Sequence, residues 1–233
     1  PRPQPGGWSG GQRAGDSARP GARAAATRGF LKELKDIRDE KTNATVQELS
    51  FQTPLDIVLY PDPRLRAQNM TVKVFDERLE ALAEEMFHVM YRTDGVGLSA
   101  PQVGVNVRVM VYNPEGDPKA GKEYVLVNPS IVKASKEKDV GEEGCLSFPK
   151  IYADVERHTA IQVQAQDLKG KTVRLKLKGW QARIFQHEYD HLEGKLFHDR
   201  MTPEVLAAVR EDLQGLERKF LQSYPETPFR AVN

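Results

Sequence analysis

Segment 186–194, QHEYDHLEG in one-letter code, restricts the fold of this chain more than any other part of the sequence, because its chemistry requires an α-helix. His187 and His191 are four residues apart, so on a helix their imidazoles lie one turn apart on the same face and can share one metal ion. Glu188 can then approach a water molecule on that ion and act as a general base. The alternative is a polar surface helix that matches a three-position pattern by chance.

The two histidines leave the ligand set of a catalytic metal incomplete, because such centres use three protein ligands and a water molecule. The third ligand has two sources in this sequence. One is downstream, as in HExxH metallopeptidases, and the other is Cys145, the only cysteine in the chain. The spacing alone leaves both open. The downstream candidates are His198, Glu211 and Glu217.

Cys145 lies in the segment EEGCLSFP, residues 142–149. A free cysteine is most often a small buried hydrophobe, and the other two interpretations are a nucleophile and a metal ligand. Glu142 and Glu143 are unfavourable neighbours for a free thiolate, which argues against the nucleophile. A bound divalent cation reverses that argument, because a coordinating thiol is deprotonated. The nucleophile is therefore the weakest of the three interpretations.

A glycine-containing loop, DGVGLSAPQVG at 94–104, is the third candidate for chemistry. Its glycines at 95 and 97 permit a close approach of the backbone that larger residues would prevent. The loop follows a predicted helix and lacks the Lys-Ser/Thr ending, so it is neither a dinucleotide fingerprint nor a Walker loop. Gln102 has an amide that can donate hydrogen bonds to a developing oxyanion.

The hydrophobic pattern predicts one α+β domain over residues 51–225. Short alternating apolar segments between 105 and 177 predict strands, with a hairpin turn at 167–171. Asp76 is a plausible N-cap for the first of three predicted helices, and the first and third have apolar residues at helical spacing. These helices are 76–91, 180–192 and 203–223.

We expect the domain to be preceded by a disordered extension, residues 1–50, which is a transit peptide or its remnant, and to be followed by a C-terminal tail, 226–233. The first 30 residues contain five arginines and one acid, Asp16, among many Gly, Pro, Ser and Ala residues. We expect this segment to be disordered, because it cannot bury enough apolar surface to offset its conformational entropy. Its composition is typical of an organelle transit peptide, and a low-complexity tail is the alternative. A mildly helical segment at 31–41 leads into the domain.

The overall charge argues against two classes of partner. The chain has 34 basic and 33 acidic residues, a formal net charge of +1, which indicates neither nucleic acid nor an anionic membrane. No apolar run approaches the roughly 18 residues of a membrane span. We therefore expect no direct nucleic-acid site and no membrane segment.

Three segments in this order, DGVGLSAPQVG, EEGCLSFP and QHEYDHLEG, resemble the signature motifs of peptide deformylases. The resemblance runs from about Leu55 through the C-terminal helix. The sequence of the segment EEGCLSFPKIYADV is most similar to that of plant and algal plastid-type members. It implies antiparallel β-sheets around a central HExxH helix, flanked by an N-terminal helix and a C-terminal helix. It also implies a location in the chloroplast stroma, with the mitochondrion as the alternative.

The resemblance implies a catalytic divalent metal, Fe²⁺ in many members, with Zn²⁺, Ni²⁺ or Co²⁺ also able to bind. Glu188 would take a proton from water and deliver it to the leaving amine. The Gln102 side chain and the Leu146 backbone N–H would stabilise the oxyanion. The implied ligands are Cys145, His187 and His191.

The implied substrates are nascent polypeptides that begin with N-formylmethionine, and the implied product is formate. The peptide would bind as an added strand, with the methionine side chain in an apolar pocket. An organellar ribosome near its exit tunnel is the implied partner, and the chain would be a monomer or homodimer. The backbone contacts expected are Val96, Gly97 and Gly144, and the pocket residues are Val96, Trp180, Arg183 and Ile184.

Three positions differ from the usual pattern of the family. Tyr152 stands where many bacterial relatives have an arginine that clamps the substrate. Gly141 stands where a bulky apolar residue is usual, which is expected to widen the pocket. Ser99 replaces a common alanine and is expected to be neutral. Besides deformylase, the sequence leaves open an HExxH metallopeptidase with a downstream ligand and a non-catalytic peptide- or ribosome-binding protein.

Overall fold

The structure is a computed structural model that describes residues 45–46 and 48–232. The expectations of disorder at 1–50 and of a helical segment at 31–41 fall mainly or wholly outside these residues. The α+β class is confirmed, as are the three helices, whose ends lie within one residue of the predicted positions. The helices are α1 (Glu77–Arg92), α2 (Gly179–Leu192) and α3 (Pro203–Ser223).

The strands of the described residues form three sheets. A parallel pair consists of β1 (Thr45–Val46) and β2 (Thr71–Val72). The largest sheet is antiparallel, with the order β3-β4-β5-β8-β9, and β6 and β7 form a separate antiparallel hairpin. Their bounds are β3 (Gly97–Ser99), β4 (Val109–Tyr112), β5 (Tyr124–Ala134), β6 (Lys138–Cys145), β7 (Phe148–His158), β8 (Ala160–Gln166) and β9 (Thr172–Lys178).

Helix α1 closes one side of the large sheet. Its N-cap is Asp76, whose side chain accepts hydrogen bonds from the backbone N–H groups of Arg78 and Leu79. The buried side chains of α1 recur at helical spacing and pack with strands β3 and β4 in the largest apolar cluster. They are Leu79, Leu82, Ala83, Met86, Phe87, Val89 and Met90.

Helix α2 carries the HExxH segment through the centre of the domain. It follows β9 directly at Gly179, where a φ of 51° suits a glycine. Its apolar face, which includes Ile184 and Phe185, packs against strands β4, β8 and β9. His187, Glu188 and His191 are all buried, so the alternative of a polar surface helix is wrong.

Helix α3 lies against the hairpin strand β7. Glu217 is buried on α3, and its Oε1 accepts hydrogen bonds from the Tyr60 hydroxyl at 2.5 Å and from the Val232 backbone N–H at 2.7 Å. These two bonds tie the end of the described chain to the domain. None of the helices in the described ranges combines the length and apolarity of a membrane span.

His198 makes the stability of the domain depend on pH. Its ring is buried against Tyr60 and Phe148, and burial lowers its pKa from 6.5 to about 4. The unfolded chain takes up a proton at this residue below about pH 6.5, whereas the folded chain stays neutral down to about pH 4. The free energy of unfolding therefore falls as the pH drops through this window, by up to about 3 kcal/mol at this one residue.

Substitution His198→Gln removes this contribution. Urea unfolding between about pH 4.5 and pH 7 is expected to give a shallower pH dependence in the variant than in the wild type. Parallel stability curves for the two proteins across that range would contradict the assignment.

Candidate metal centre and active site

One cluster of potential metal ligands occurs within residues 45–46 and 48–232. It consists of Cys145 at the end of β6 and His187 and His191 on α2, whose ligand atoms all lie within 4.8 Å of one another. The Cys145 Sγ and His191 Nε2 atoms are 3.3 Å apart. A thiolate with two imidazoles is a donor set that suits Zn²⁺, Fe²⁺ and neighbouring transition metals. The residues present therefore fit a bound divalent metal.

The downstream ligand candidates lie elsewhere and have other partners. His198 contacts the Arg66 guanidinium, and Glu211 pairs with Arg218. Glu217 is occupied by Tyr60 and Val232 as described above. Of the candidates for the third ligand, Cys145 is therefore the one that the fold places beside the two histidines.

His187 is held in place by Glu143, whose Oε2 lies 2.9 Å from the His187 Nδ1 atom. This contact leaves Nε2 free to serve as the ligand, an arrangement common for histidines that bind metals. Burial opposes protonation of His187, but its contacts with Cys145 and Glu143 outweigh burial and raise its pKa well above the usual value. The acidic groups around His187 therefore favour a positive charge on its ring when no metal is bound.

Glu143 is the centre of a buried ion-pair network. Its carboxylate accepts hydrogen bonds from Arg157 Nε at 3.0 Å, Arg157 Nη2 at 2.9 Å and Arg183 Nη1 at 2.9 Å. Burial would raise the pKa of Glu143, but His187 and Arg157 lower it to about 2. The carboxylate is consequently ionised at neutral pH and can orient His187.

The network continues from Arg157 towards the surface. The second side of the Arg157 guanidinium contacts Asp190, which is buried in the middle of the HExxH segment. Asp190 in turn pairs with Arg200, whose Nε lies 2.9 Å from Asp190 Oδ2. A continuous series of paired charges thus runs from the metal cluster to a partly exposed arginine.

Glu188 lies beside the cluster with its carboxyl group almost completely buried. Its Oε1 approaches the backbone of Gly97 so closely that a Cβ atom there would lie 2.6 Å from it, which explains the glycine. Its Oε2 has no hydrogen-bond partner among the described residues. Burial raises the pKa of Glu188 to about 7, so this carboxyl can both accept and release a proton near neutral pH.

Gln102 is held in one orientation by Ser99. The Gln102 Oε1 accepts hydrogen bonds from the Ser99 backbone N–H at 2.9 Å and from its hydroxyl at 2.7 Å. The amide Nε2 is thereby turned towards Cys145 Sγ at 3.5 Å and Ser147 Oγ at 3.4 Å. The Ser99 hydroxyl, which an alanine would lack, adds a second contact to the backbone N–H that orients this amide.

The cluster opens into a cleft of about 640 Å³. Trp180 and Tyr152 are exposed residues of its lining, whereas His191 is buried and does not line it. Sequence-predicted residues lining the cleft are Val96, Gly97, Gln102, Gly144, Cys145, Leu146, Tyr152, Trp180, Arg183, Ile184, His187 and Glu188.

Strand β3 offers a free edge to this cleft, because it is the end strand of the large sheet. The Val96 carbonyl already accepts a hydrogen bond from Asn113, and Gly97 lies opposite Tyr112. In an antiparallel ladder the next residue therefore turns its N–H and C=O groups away from the neighbouring strand. The groups of Gly97 are available to an extended peptide, whereas the Val96 carbonyl is not.

Gly141 does not widen the cleft as expected. A Cβ atom on Gly141 would lie 3.0 Å from the Arg183 guanidinium, which occupies the space that a larger side chain would fill. Arg183 is anchored there by Asp139 Oδ1 at 2.7 Å and the Val155 carbonyl at 2.8 Å. Arg183 thus contributes a buried charge to the wall of the cleft.

Comparison with known proteins supports an identification. A family model described as polypeptide deformylase matches residues 54–206. The chloroplastic peptide deformylase 1B of Oryza sativa subsp. japonica is 52% identical over 209 residues, which are 89% of this chain and 78% of that protein. The chloroplastic/mitochondrial peptide deformylase 1B of Arabidopsis thaliana is 54% identical over 190 residues, 81% of this chain and 69% of that protein.

Solved structures give the same result. A plant peptide deformylase crystal structure matches with a TM-score of 0.78 and 53% identity, covering 79% of this chain and all of that one. The peptide deformylase of Thermotoga maritima matches with a TM-score of 0.61 and 41% identity, covering 65% of this chain and 100% of that one.

A cysteine sulfur, two imidazoles, a buried carboxyl and an amide donor around one point are the groups that a metal-dependent hydrolase of amide bonds requires. The family model and both groups of relatives agree with that class. The chain belongs to the polypeptide deformylase family, and it is an enzyme that removes formyl groups from peptides.

Proposed function

We propose that this cleft removes the formyl group from the N-terminal formylmethionine of newly synthesised organellar polypeptides. One observation carries the proposal: the cluster of Cys145, His187 and His191 opens into the same cleft as the buried Glu188 carboxyl and the Gln102 amide. Amide hydrolysis needs an activated water, a stabilised oxyanion and a proton for the leaving amine. These groups supply all three.

The three ligands would hold one divalent ion, which supplies Lewis acidity and activates water at neutral pH when it is bound. We propose Fe²⁺ as the physiological ion, with Zn²⁺, Ni²⁺ or Co²⁺ as substitutes. The soft Cys145 thiolate beside two imidazoles supports this range of metals. Glu143 would keep the His187 ring in the orientation that binding requires.

Glu188 would accept a proton from the attacking water at its carboxylate and then donate it to the nitrogen of the leaving peptide. A pKa of about 7 suits both steps, because neither the carboxylate nor the carboxylic acid is strongly disfavoured near neutral pH. The contact with Gly97 fixes the side chain at the wall of the cleft.

The formyl oxygen would be held by the Gln102 Nε2 group and by the backbone N–H of Leu146. Leu146 directly follows Cys145 in the turn between β6 and β7 and lines the same cleft. Donors that are already oriented stabilise a developing negative charge without reorganisation. Ser99 supports this role because it donates hydrogen bonds to the Gln102 Oε1 atom, which leaves the Nε2 group directed at the cleft.

The peptide would lie along the free edge of β3, with Gly97 and Gly144 as its main-chain contacts. Its methionine side chain would enter the cleft, and the exposed Tyr152 would lie alongside the residues that follow. Main-chain pairing would leave the sequence beyond the first residue weakly selected. The pocket residues in this proposal are Val96, Trp180, Arg183 and Ile184.

We propose the chloroplast stroma as the location, with the mitochondrion as the alternative. The names of the rice and Arabidopsis relatives and the arginine-rich composition of the first 30 residues support it. In this proposal residues 1–50 are a targeting extension, 51–225 the catalytic domain and 226–233 a tail. A ribosome near its exit tunnel would supply the substrate, and the chain would act as a monomer or homodimer.

The proposal is tested by purifying the chain without oxygen, because a thiolate ligand is open to oxidation. Its metal content is measured, and a formyl-Met peptide is assayed both for formate release and for internal cleavage. Formate release without internal cleavage is the expected result. Internal cleavage without formate would support the HExxH metallopeptidase instead, and the absence of both would support a peptide-binding protein.

Substitution Gln102→Leu is expected to lower kcat for formate release by about 10²- to 10³-fold, as removal of one oxyanion donor does in other hydrolases. The metal content should stay unchanged, because Gln102 is not in the ligand cluster. Steady-state kinetics with metal analysis checks both points. A loss below about fivefold would rule out the oxyanion role.

A further inference from the structure

A second cavity, of about 490 Å³, lies outside the cleft and shares no lining residue with it. Its walls are formed by the loop after α2, the 3₁₀ turn Phe197–Arg200, the start of α3 and the C-terminal segment up to Val232. The proposed deformylation does not use any of these walls. The charged or titratable residues that line the cavity are Arg66, Lys195, His198, Asp199, Arg200 and Arg230.

The lining of this cavity carries a clear excess of positive charge. Four cationic side chains surround one carboxylate, Asp199, and that carboxylate is already engaged by Arg66 at 2.6 and 3.0 Å. Lys195 and Arg230 are exposed and have no ion-pair partner within the described ranges. Two uncompensated cations therefore face a concave surface, where their fields reinforce each other.

His198 lines the same cavity, and its side chain is buried. Its Nε2 atom lies 3.1 Å from Arg66 Nη2, and since a guanidinium only donates, Nε2 must accept and Nδ1 must carry the proton. The Nδ1 atom is buried and has no hydrogen-bond partner in the described part of the chain. A buried donor without an acceptor is costly and uncommon in folded proteins.

We propose that this cavity binds a small phosphate-bearing anion. The guanidinium and ammonium groups of Arg230 and Lys195 match the geometry and charge of phosphate oxygens, and guanidinium forks bind such oxygens in pairs. An oxygen that enters against His198 would supply the acceptor that Nδ1 lacks. The shared chemistry is the phosphate group, whether it comes from free phosphate, pyrophosphate or a nucleotide. The assignment is independent of the proposed function, because it rests on a different cavity.

Isothermal titration calorimetry tests the site with inorganic phosphate, pyrophosphate and ADP at constant ionic strength, balanced with chloride. The test variant is Lys195→Gln/Arg230→Gln, which removes the two unpaired cations. The matched control is Lys176→Gln/Lys178→Gln, which removes the same charge from exposed positions on β9, outside the cavity.

We expect saturable binding of at least one probe to the wild type, weakened by about tenfold or more in the test variant and by less than about twofold in the control. Tighter binding of ADP than of pyrophosphate would identify a nucleotide as the source of the phosphate, and the reverse would identify free phosphates. No saturation in the wild type, or equal weakening in both variants, would overturn the proposal.

A second measurement locates the ligand without a variant. The ring ¹⁵N signals of His198 are followed by NMR while the tightest probe is added. We expect the Nδ1 signal to shift on saturation, because its N–H gains an acceptor. A ring signal that stays unchanged at saturation would place the anion elsewhere and overturn the assignment.

Discussion

Substitution Glu188→Gln is expected to lower kcat for formate release by about 10³- to 10⁴-fold, the upper part of the range for loss of a general acid–base group. Glutamine has nearly the same shape, so the close contact with Gly97 is retained while the ability to carry a proton is lost. The metal content and KM should change little, because Glu188 is outside the ligand cluster. Steady-state kinetics on a formyl-Met peptide with metal analysis of the same sample measures all three.

The matched control for this variant is Glu142→Gln. Glu142 lines the same cleft but is exposed, and it makes no contact with the ligand cluster that the structure records. We expect its kcat to stay within a few-fold of the wild type, since exposed charges act weakly on a distant proton transfer. A loss below about tenfold in Glu188→Gln, or an equal loss in both variants, would remove Glu188 from the proton transfer.

Substitution Cys145→Ser is expected to abolish both metal retention and formate release. A serine hydroxyl stays protonated at neutral pH, so the ion loses its anionic ligand. Loss of a residue that only hydrogen-bonds to a metal ligand typically lowers metal affinity by about 10- to 100-fold. Loss of a ligand itself should lower the metal affinity by at least about 100-fold. Metal analysis after dialysis against a chelator, followed by the formate assay, tests this expectation.

The control His198→Gln addresses the competing ligand set. If a downstream histidine completed the site, His198→Gln would lose the metal and Cys145→Ser would keep it. Because His198 contacts Arg66 and lies outside the cluster, we expect the opposite result. Metal bound to Cys145→Ser at the wild-type level would contradict the ligand assignment.

Local patterns account for the parts of the fold that the sequence predicts well. Helix α1 has its N-cap at Asp76 and a regular apolar stripe, so its start and its buried face are both encoded within one short segment. The HExxH histidines likewise need only a helix to share one face. No local pattern identifies Cys145 as a ligand, because its contact with His191, 46 residues away, depends on the hairpin that brings β6 to α2.

Sequence motifs do not reveal the residues that act through tertiary contacts. Arg157 orients Glu143 and pairs with Asp190, and no motif points to it. The alternation of β7 does point to Arg157. Ile151, Ala153 and Val155 are buried at every second position of the strand, and Arg157 is the next residue on the same buried face. An arginine on the buried face of a strand must be paired, so this position predicts an internal carboxylate partner.

Gly141 and Arg183 have a consequence for how members of this family can diverge. A larger residue at 141 would clash with the Arg183 guanidinium. An apolar residue at 183 alone would leave a void and would remove one of the hydrogen-bond donors to Glu143. Neither step is favourable by itself, although an apolar pair at both positions would fill the same space. The two positions are therefore expected to change together during evolution, as a single covarying pair that separates members with an arginine in the cleft wall from members with an apolar wall.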